Sequence, residues 1–528
     1  MKNNFLKTVA LFLVIIAFAA CEEKKEIINY PQTDLAINTI IPKPLKVIPT
    51  NSGFGLDSST VIYTNQTAKG FENVGKYLAE KIKHQINLDI PVNTSTEESA
   101  TRMIFINQTD SLPLTSPEAY ELYIKNDSII LNAKNAAGAF RGIQTLRQLI
   151  PEKSNDTLSS KPMWVIPSGK ILDEPNFSYR GAMLDVARHF FTVDEVKKYI
   201  DLLAYYKFNK FHMHLTDDQG WRIEIKSWPK LTEIGGASEV GGGEGGFYTQ
   251  EDFKALVAYA ADRHIEIIPE VDLPGHTNAA SLSYPFLHDA NGRAKTPRVR
   301  TDMLVGYSSF DVRKDTVYTF LDDVIGEIAA ISPSKYFHIG GDETFATTKK
   351  DYLYFVERVE TIVEKHGKNI IGWNEISQAN ISPNSVHQLW KEVHHSLEAV
   401  KNGSKIILSP GKKMYLDMKY DNDTKLGLTW AGLIPVDSAY QWNPETYIEE
   451  LDKEDILGIE APLWSETISN LEELEYLAFP RVIGYSELGW SVQKNRNWED
   501  YTKRLVGHQS FLEKEKVNYY PSAKIPWN

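Results

Sequence analysis

Cysteine is nearly absent from this chain: Cys21 is the only one in 528 residues. A single thiol can form no internal disulfide and cannot build a cysteine-based zinc or iron–sulfur site. Basic charge is also short, with 57 Lys and Arg against 70 Asp and Glu, for a net charge of −13. No long Lys/Arg run offsets this locally, so a phosphate backbone or an anionic lipid surface is a poor match, and nucleic acid is not an expected partner. Long apolar runs are missing but for one, Val9 to Ala20, which is too short to span a bilayer comfortably as a permanent helix. A hydrophobic content of 42% beside 24% charge fits a soluble globular body and neither a disordered nor a multi-span membrane chain.

The one apolar run reads as an address. Lys2 and Lys7 precede it, and Ala19, Ala20 and Cys21 match a lipobox in which Phe18 stands where Leu is usual. The segment resembles a bacterial lipoprotein signal. Residues 1–20 are therefore expected to be a signal peptide, Cys21 to be lipidated and residues 22–35 to form a tether. The protein would be exported and lipid-anchored to the bacterial outer membrane, facing periplasm or surface, with no other membrane contact.

The chain is longer than one hydrophobic core usually supports, so two domains are expected. Residues 36–172 read as a small α+β domain, with strands near Thr60–Tyr63, Met103–Asn107, Ala119–Ile124 and Ser128–Asn132. Helical periodicity covers Phe71–Gln85 and Ala136–Leu149. Helices should pack on one face of the sheet, and nothing there looks catalytic; Gly142 beside Arg141 reads as a close helix–sheet contact. Residues 173–528 instead alternate β-rich runs with amphipathic helices. The runs are Arg180–Val186, Lys210–Leu215, Ile265–Val271, Tyr336–Ile339, Ile370–Trp373, Val386–Trp390, Lys405–Leu408 and Gly458–Leu463. Eight such units predict an α/β fold, a (β/α)8 barrel of parallel strands with its chemistry at the C-terminal strand ends.

Those ends collect polar and aromatic residues. In chain order they offer Asp185, Arg188 and His189, then Asp217, Asp218 and Trp221, then Glu270, Asp272 and His276, then His338, Asp342 and Glu343. Trp373, Glu375, Trp390, Tyr415, Asp417, Trp464 and Glu466 complete the set. Any one of these has an ordinary structural explanation, but their coincidence at every strand does not. Carboxylates with tryptophan, and no His-rich ligand spacing, point to acid–base chemistry on an uncharged, hydroxyl-rich ligand such as a sugar, with no metal and no cofactor expected. In PEVDLPGH, a hydrogen-bonded Asp272–His276 pair is expected rather than a ligand set. The glycine run Gly241–Gly246 does not lead directly into a helix, so it is not a phosphate cradle; a mobile lid is one use for it.

Asp342 and Glu343 follow Gly340 and Gly341, which free the backbone to leave strand geometry and bring neighbouring carboxyls to one pocket. Two close carboxyls raise each other's proton affinity, so one can stay protonated while its neighbour is ionised. Glycosidases usually place their two carboxyls on different segments. An adjacent pair implies that one donates a proton and the other handles a group on the substrate.

The stretches RGAMLDVARHF from Arg180, HLTDDQGWR from His214, PEVDLPGH from Pro269 and HIGGDE from His338 resemble glycoside hydrolase family 20. The resemblance implies a retaining, exo-acting β-N-acetylhexosaminidase acting on N-acetylhexosamine-containing glycans, in which the substrate's own 2-acetamido oxygen attacks the anomeric carbon through an oxazolinium intermediate. It implies Glu343 as general acid and base, Asp342 as the partner of the acetamido N–H, and Tyr415 as donor to the acetamido oxygen. Trp373, Trp390 and Trp464 would wall the pocket, with Arg188, Asp417 and Glu466 on the outer hydroxyls. Asp217 and His276 join this binding set and are similar, with Asp272 and His338, to groups that support the catalytic pair. Two other readings stand beside it: a conventional retaining glycosidase with Glu466 as nucleophile, and a non-catalytic surface glycan-binding lipoprotein.

Overall fold

The computed structural model describes residues 33–95, 101–154 and 162–527. The leader, Cys21 and all but the last three residues of the expected tether lie outside the described residues. Among the described residues, no helix is long and apolar enough to cross a membrane.

The N-terminal domain is one seven-stranded sheet. Its strands are β1 (Lys46–Leu56), β2 (Val61–Asn65), β3 (Val92–Ser95), β4 (Met103–Gln108), β5 (Tyr120–Ile124), β6 (Ser128–Ala133) and β7 (Trp164–Asp173). They run in the order β1-β7-β5-β6-β4-β2-β3. The helices Phe71–Ile86 and Ala136–Leu149 pack on each other and on the sheet. Gly142 allows that close contact: a Cβ there would meet Leu131 Cδ1 at 2.3 Å, and the leucine would have to move. The sequence pattern indicates β2, β4, β5 and β6 but not the others. β3 is a short polar edge, β1 carries a bulge between Pro49 and Gly53, and β7 contains Pro167 and Gly169, which read as turn residues.

The second domain closes eight parallel strands into a barrel in the order β10-β11-β12-β13-β14-β15-β8-β9. They are β8 (Tyr179–Asp185), β9 (Lys210–His214), β10 (Glu266–Glu270), β11 (Tyr336–His338), β12 (Asn369–Trp373), β13 (Val386–Leu389), β14 (Lys405–Leu408) and β15 (Ile456–Leu463). Each coincides with one of the eight runs in the sequence. Two of the intervening helices start at reciprocal capping boxes: Thr192 accepts from Glu195 N–H and Thr249 from Asp252 N–H.

Buried charge joins the two domains. Glu118 accepts from Arg141 Nε at 2.7 Å and from Arg180 Nη2, on β8, at 2.6 Å. Arg141 Nη2 also donates to the carbonyl of His264, ahead of β10, at 2.6 Å. Nearby, Lys207 Nζ of the barrel bonds Asp173 Oδ2 at 3.0 Å and Tyr120 Oη at 2.9 Å, both in the small domain. Burial would raise the Glu118 carboxyl, but Arg180 and Arg141 outweigh it and hold it at about 2. Glu118→Ala leaves two buried guanidinium groups without their anion. It is expected to cost about 3–5 kcal/mol, seen as a lowered urea midpoint with the slope unchanged; an unmoved midpoint would show that the Glu118 charge does not stabilise the junction.

Candidate active site

At the end of β11 the chain turns through Gly340 (φ 64°) and Gly341 (φ 101°) into Asp342 and Glu343. A Cβ on Gly340 would fall 1.8 Å from Asp272 Oδ1, so this position admits no side chain. Asp272 Oδ1 accepts the Gly341 N–H at 3.0 Å, and Tyr352 donates to the Gly341 carbonyl at 2.8 Å. Glu343 has φ 46°, a left-handed conformation that costs a non-glycine residue about 1–3 kcal/mol and is held by these contacts. The two carboxyls therefore open on one cavity instead of pointing to opposite faces of a strand.

That cavity is about 250 Å3 and is lined by Arg188, Asp342, Glu343, Trp390, Tyr415, Asp417, Trp464 and Glu466, together with Met303, Val305, Lys391, Leu428 and Trp430. Its walls are aromatic. Trp390 Nε1 lies 3.0 Å and 3.2 Å from the two Glu375 oxygens, and Trp430 meets both Trp390 and Tyr415 edge-on at 5.8 Å and 5.6 Å. Arg188 stacks over Trp464 at 5.1 Å and pairs with Asp217 at 2.9 Å and Asp185 at 3.2 Å. Both carboxylate oxygens of Asp417, Glu466 Oε2 and Asp342 Oδ1 are buried without a side-chain donor. Acceptors left open in this way suit a ligand that brings hydroxyl and amide hydrogens.

Behind the pair stands His276. Its Nδ1 is 3.1 Å from Asp217 Oδ1, and its Nε2 is 3.8 Å from Asp342 Oδ2 and 3.7 Å from Glu343 Oε2. Burial opposes a charge on this ring, but Asp217, Asp272 and Asp342 outweigh it and hold the imidazole protonated well above its usual range. Burial pushes the Glu343 carboxyl up; His276 works against this and Asp342 adds to it, with a net upward shift. Glu375 is pushed up to about 8, first by burial and then by Asp342.

The structure departs from the expected arrangement at several residues. No Asp272–His276 hydrogen bond forms: His276 sits on left-handed backbone (φ 52°) that turns Nδ1 to Asp217, while Asp272 spends Oδ1 on Gly341. Asp217, His276 and Trp373 do not line the cavity. The first two are buried behind the carboxyl pair, and Trp373 lies beneath Trp464 at 5.7 Å with Nε1 on Glu270. His338 is likewise interior, 2.9 Å from Glu270. Trp430 was not legible, because it sits in the excursion after β14 and not at a strand end. Glu375 is among the strand-end residues the sequence marks, but its contact with Trp390 is seen only in the fold. Gly241–Gly246 is held at its base by Arg222, which donates to the carbonyls of Gly236, Ser238 and Gly246.

Triads such as His212, Glu270 and His338, or His276, Asp342 and Glu343, bring ligand-type atoms within 4.8 Å of one another. In each triad imidazole nitrogens stand against carboxylate oxygens, at 2.9 Å in the first and 3.7–3.8 Å in the second. The arrangement supports proton handling within a sugar-sized pocket.

A model of the glycosyl hydrolase family 20 catalytic domain matches residues 177–352 and 345–493, and one of that family's domain 2 matches residues 38–174. The chain belongs to glycoside hydrolase family 20. A β-N-acetylhexosaminidase of Cellulomonas fimi is 35% identical over 493 residues, which span 92% of this chain and 97% of the relative. The family 20 β-N-acetylhexosaminidase structure from Streptomyces coelicolor A3(2) superposes with a TM-score of 0.87 at 41% identity, over 93% of this chain and 99% of that one. A mutant Streptomyces plicatus β-hexosaminidase in complex with product GlcNAc gives 0.87 at 40% identity, over 95% and 100%. The family 20 assignment makes this protein a glycoside hydrolase and covers both of its domains.

Proposed function

We propose that the cavity takes one terminal N-acetylhexosamine residue and that this exo-acting β-N-acetylhexosaminidase works by retaining, substrate-assisted hydrolysis. The observation that carries the assignment of roles is the shared opening of Asp342 and Glu343 on one pocket walled by Trp390, Tyr415, Trp430 and Trp464. Asp342, with Oδ1 open, accepts the acetamido N–H and so aligns the acetamido oxygen with the anomeric carbon. Tyr415 donates to that oxygen. As the oxygen attacks, the glycosidic bond breaks and Glu343 gives its proton to the departing oxygen. The raised proton affinity of the Glu343 carboxyl suits this step. Asp342 remains beside the oxazolinium cation, and its negative charge stabilises it. Glu343, now ionised, takes a proton from water as that water opens the ring on the same face.

Arg188, Asp417 and Glu466 grip outer hydroxyls, and Trp390, Trp430 and Trp464 enclose the sugar. Trp373 supports Trp464 from below, and Asp217 holds His276 against the pair. The substrates are glycans ending in N-acetylglucosamine or N-acetylgalactosamine. Export and an outer-membrane lipid anchor on Cys21 fit the Lys2, Lys7 and lipobox pattern, and mass spectrometry of the mature N-terminus tests this part.

The mechanism is tested by comparing an aryl β-N-acetylglucosaminide with the matching aryl β-glucoside, using protein from Glu22 onward. Hydrolysis of the acetamido substrate alone is the expected result. Comparable rates on both would transfer the nucleophile role to Glu466, and binding without turnover would leave a glycan-capture protein.

A further inference from the structure

Beneath the cavity the barrel interior is charged. Glu460 on β15, His212 on β9, Glu270 on β10, His214 on β9, Asp217 and His276 form a single chain of contacts in which acid and imidazole alternate. His212 Nδ1 lies 2.8 Å from Glu460 Oε1, and its Nε2 lies 2.9 Å from Glu270 Oε2, off the line of a hydrogen bond. His214 Nδ1 is 2.5 Å from Glu270 Oε2, and its Nε2 is 2.9 Å from Asp217 Oδ2. Asp217 Oδ1 then meets His276 Nδ1 at 3.1 Å, and His276 Nε2 faces Glu343. The five groups from Glu460 to Asp217 are at most 1% exposed, so none of these charges faces bulk solvent.

A neutral imidazole has one N–H and cannot donate to carboxylates on both sides, whereas an imidazolium can. Both nitrogens of His214 face carboxylate oxygens, so its geometry is that of an imidazolium. Burial opposes that charge, and Glu270 leads the groups that outweigh it. The other groups facing His214 are Asp185 at the end of β8, Asp217, Asp272 and the Trp464 indole edge at 4.9 Å. Glu270 in turn faces His212, His214, His338 at 2.9 Å and the Trp373 N–H at 3.1 Å, and these hold it ionised against burial. Asp217 is tied on its outer side by Arg188.

We propose that Glu270 is a positioning residue for proton donation by Glu343, acting from the barrel interior through His214, Asp217 and His276. It keeps His214 donating from both nitrogens, which fixes Asp217 and through it the ring that faces the acid. The proposal rests on the role of Glu343 as the acid.

The test is Glu270→Gln, which keeps the shape and removes the charge. On an unactivated N-acetylglucosamine disaccharide, kcat/KM should fall roughly 10-fold as pH rises through a new ionisation absent from the wild type. On the 2,4-dinitrophenyl glycoside, whose leaving group needs no proton, kcat/KM should be unchanged. Histidine 15N spectra of the wild type should show His214 doubly protonated at pH 7, and this reading needs no variant to fold. A neutral His214 in the wild type, equal losses on both substrates, or an unaltered disaccharide profile would overturn the proposal. Glu343→Gln in the same pair of assays separates the two layers: no leaving-group dependence there would sink the acid role itself.

Discussion

Asp342→Asn should lower kcat on an aryl β-N-acetylglucosaminide by about 10²–10³-fold while KM changes little. Asn has the shape of Asp and can still present an oxygen to the acetamido N–H, so binding of the ground state survives. What it lacks is the charge opposite the oxazolinium cation, which exists only after the glycosidic bond has begun to break. An interaction made chiefly in the transition state appears in kcat rather than in KM. A second signature follows from proton affinities. Asp342 pushes up the carboxyls of Glu343 and Glu375. Removing its charge lowers the pKa of Glu343, so the alkaline limb of kcat/KM should move to lower pH. Retention of more than about a tenth of wild-type kcat, set against the 10²–10³ expected of such a group, would remove Asp342 from the role.

Glu343→Gln should lower hydrolysis of an unactivated disaccharide by about 10²–10⁴-fold. The loss should shrink on a 2,4-dinitrophenyl glycoside, which departs as a stable anion. Glu343 is useful as an acid only while protonated, and its affinity for the proton is raised by burial against the pull of His276. Wild-type activity should therefore be present below that raised pKa and be lost as pH rises through it. The Gln variant has no proton to lose at this position, so its residual activity should lack that limb. Equal losses for good and poor leaving groups would show that Glu343 only binds substrate.

Much of this was legible in the sequence because the barrel writes its pattern locally. β12, β14 and β15 carry short β-branched or apolar stretches, such as Ile370–Ile371 and Ile406–Leu408, set between helical segments, and a run set off in that way has few alternatives. The carboxyl pair was legible for a similar reason, since two glycines precede two acids at one strand end. Pairings across strands were not. His212 and Glu460 sit mid-strand, where nothing in the sequence marks them, and each becomes meaningful only when β9 and β15 both face the same interior. The ring of His276 turns to Asp217 and not to Asp272 because of one left-handed residue, and neighbouring residue types do not record such a turn. Trp430 reaches the pocket from a long excursion, so its distance along the chain from any strand end hid it.

The junction at Glu118 bears on how modular this enzyme is. Glu118 and Asp173 belong to the small domain, while Arg180 and Lys207, the buried cations they neutralise, belong to the barrel. A barrel cut free before Tyr179 would carry two interior positive charges with their counter-ions gone. The small domain is thus part of the barrel's electroneutrality, and the two halves can be exchanged between relatives only as a matched set of charges.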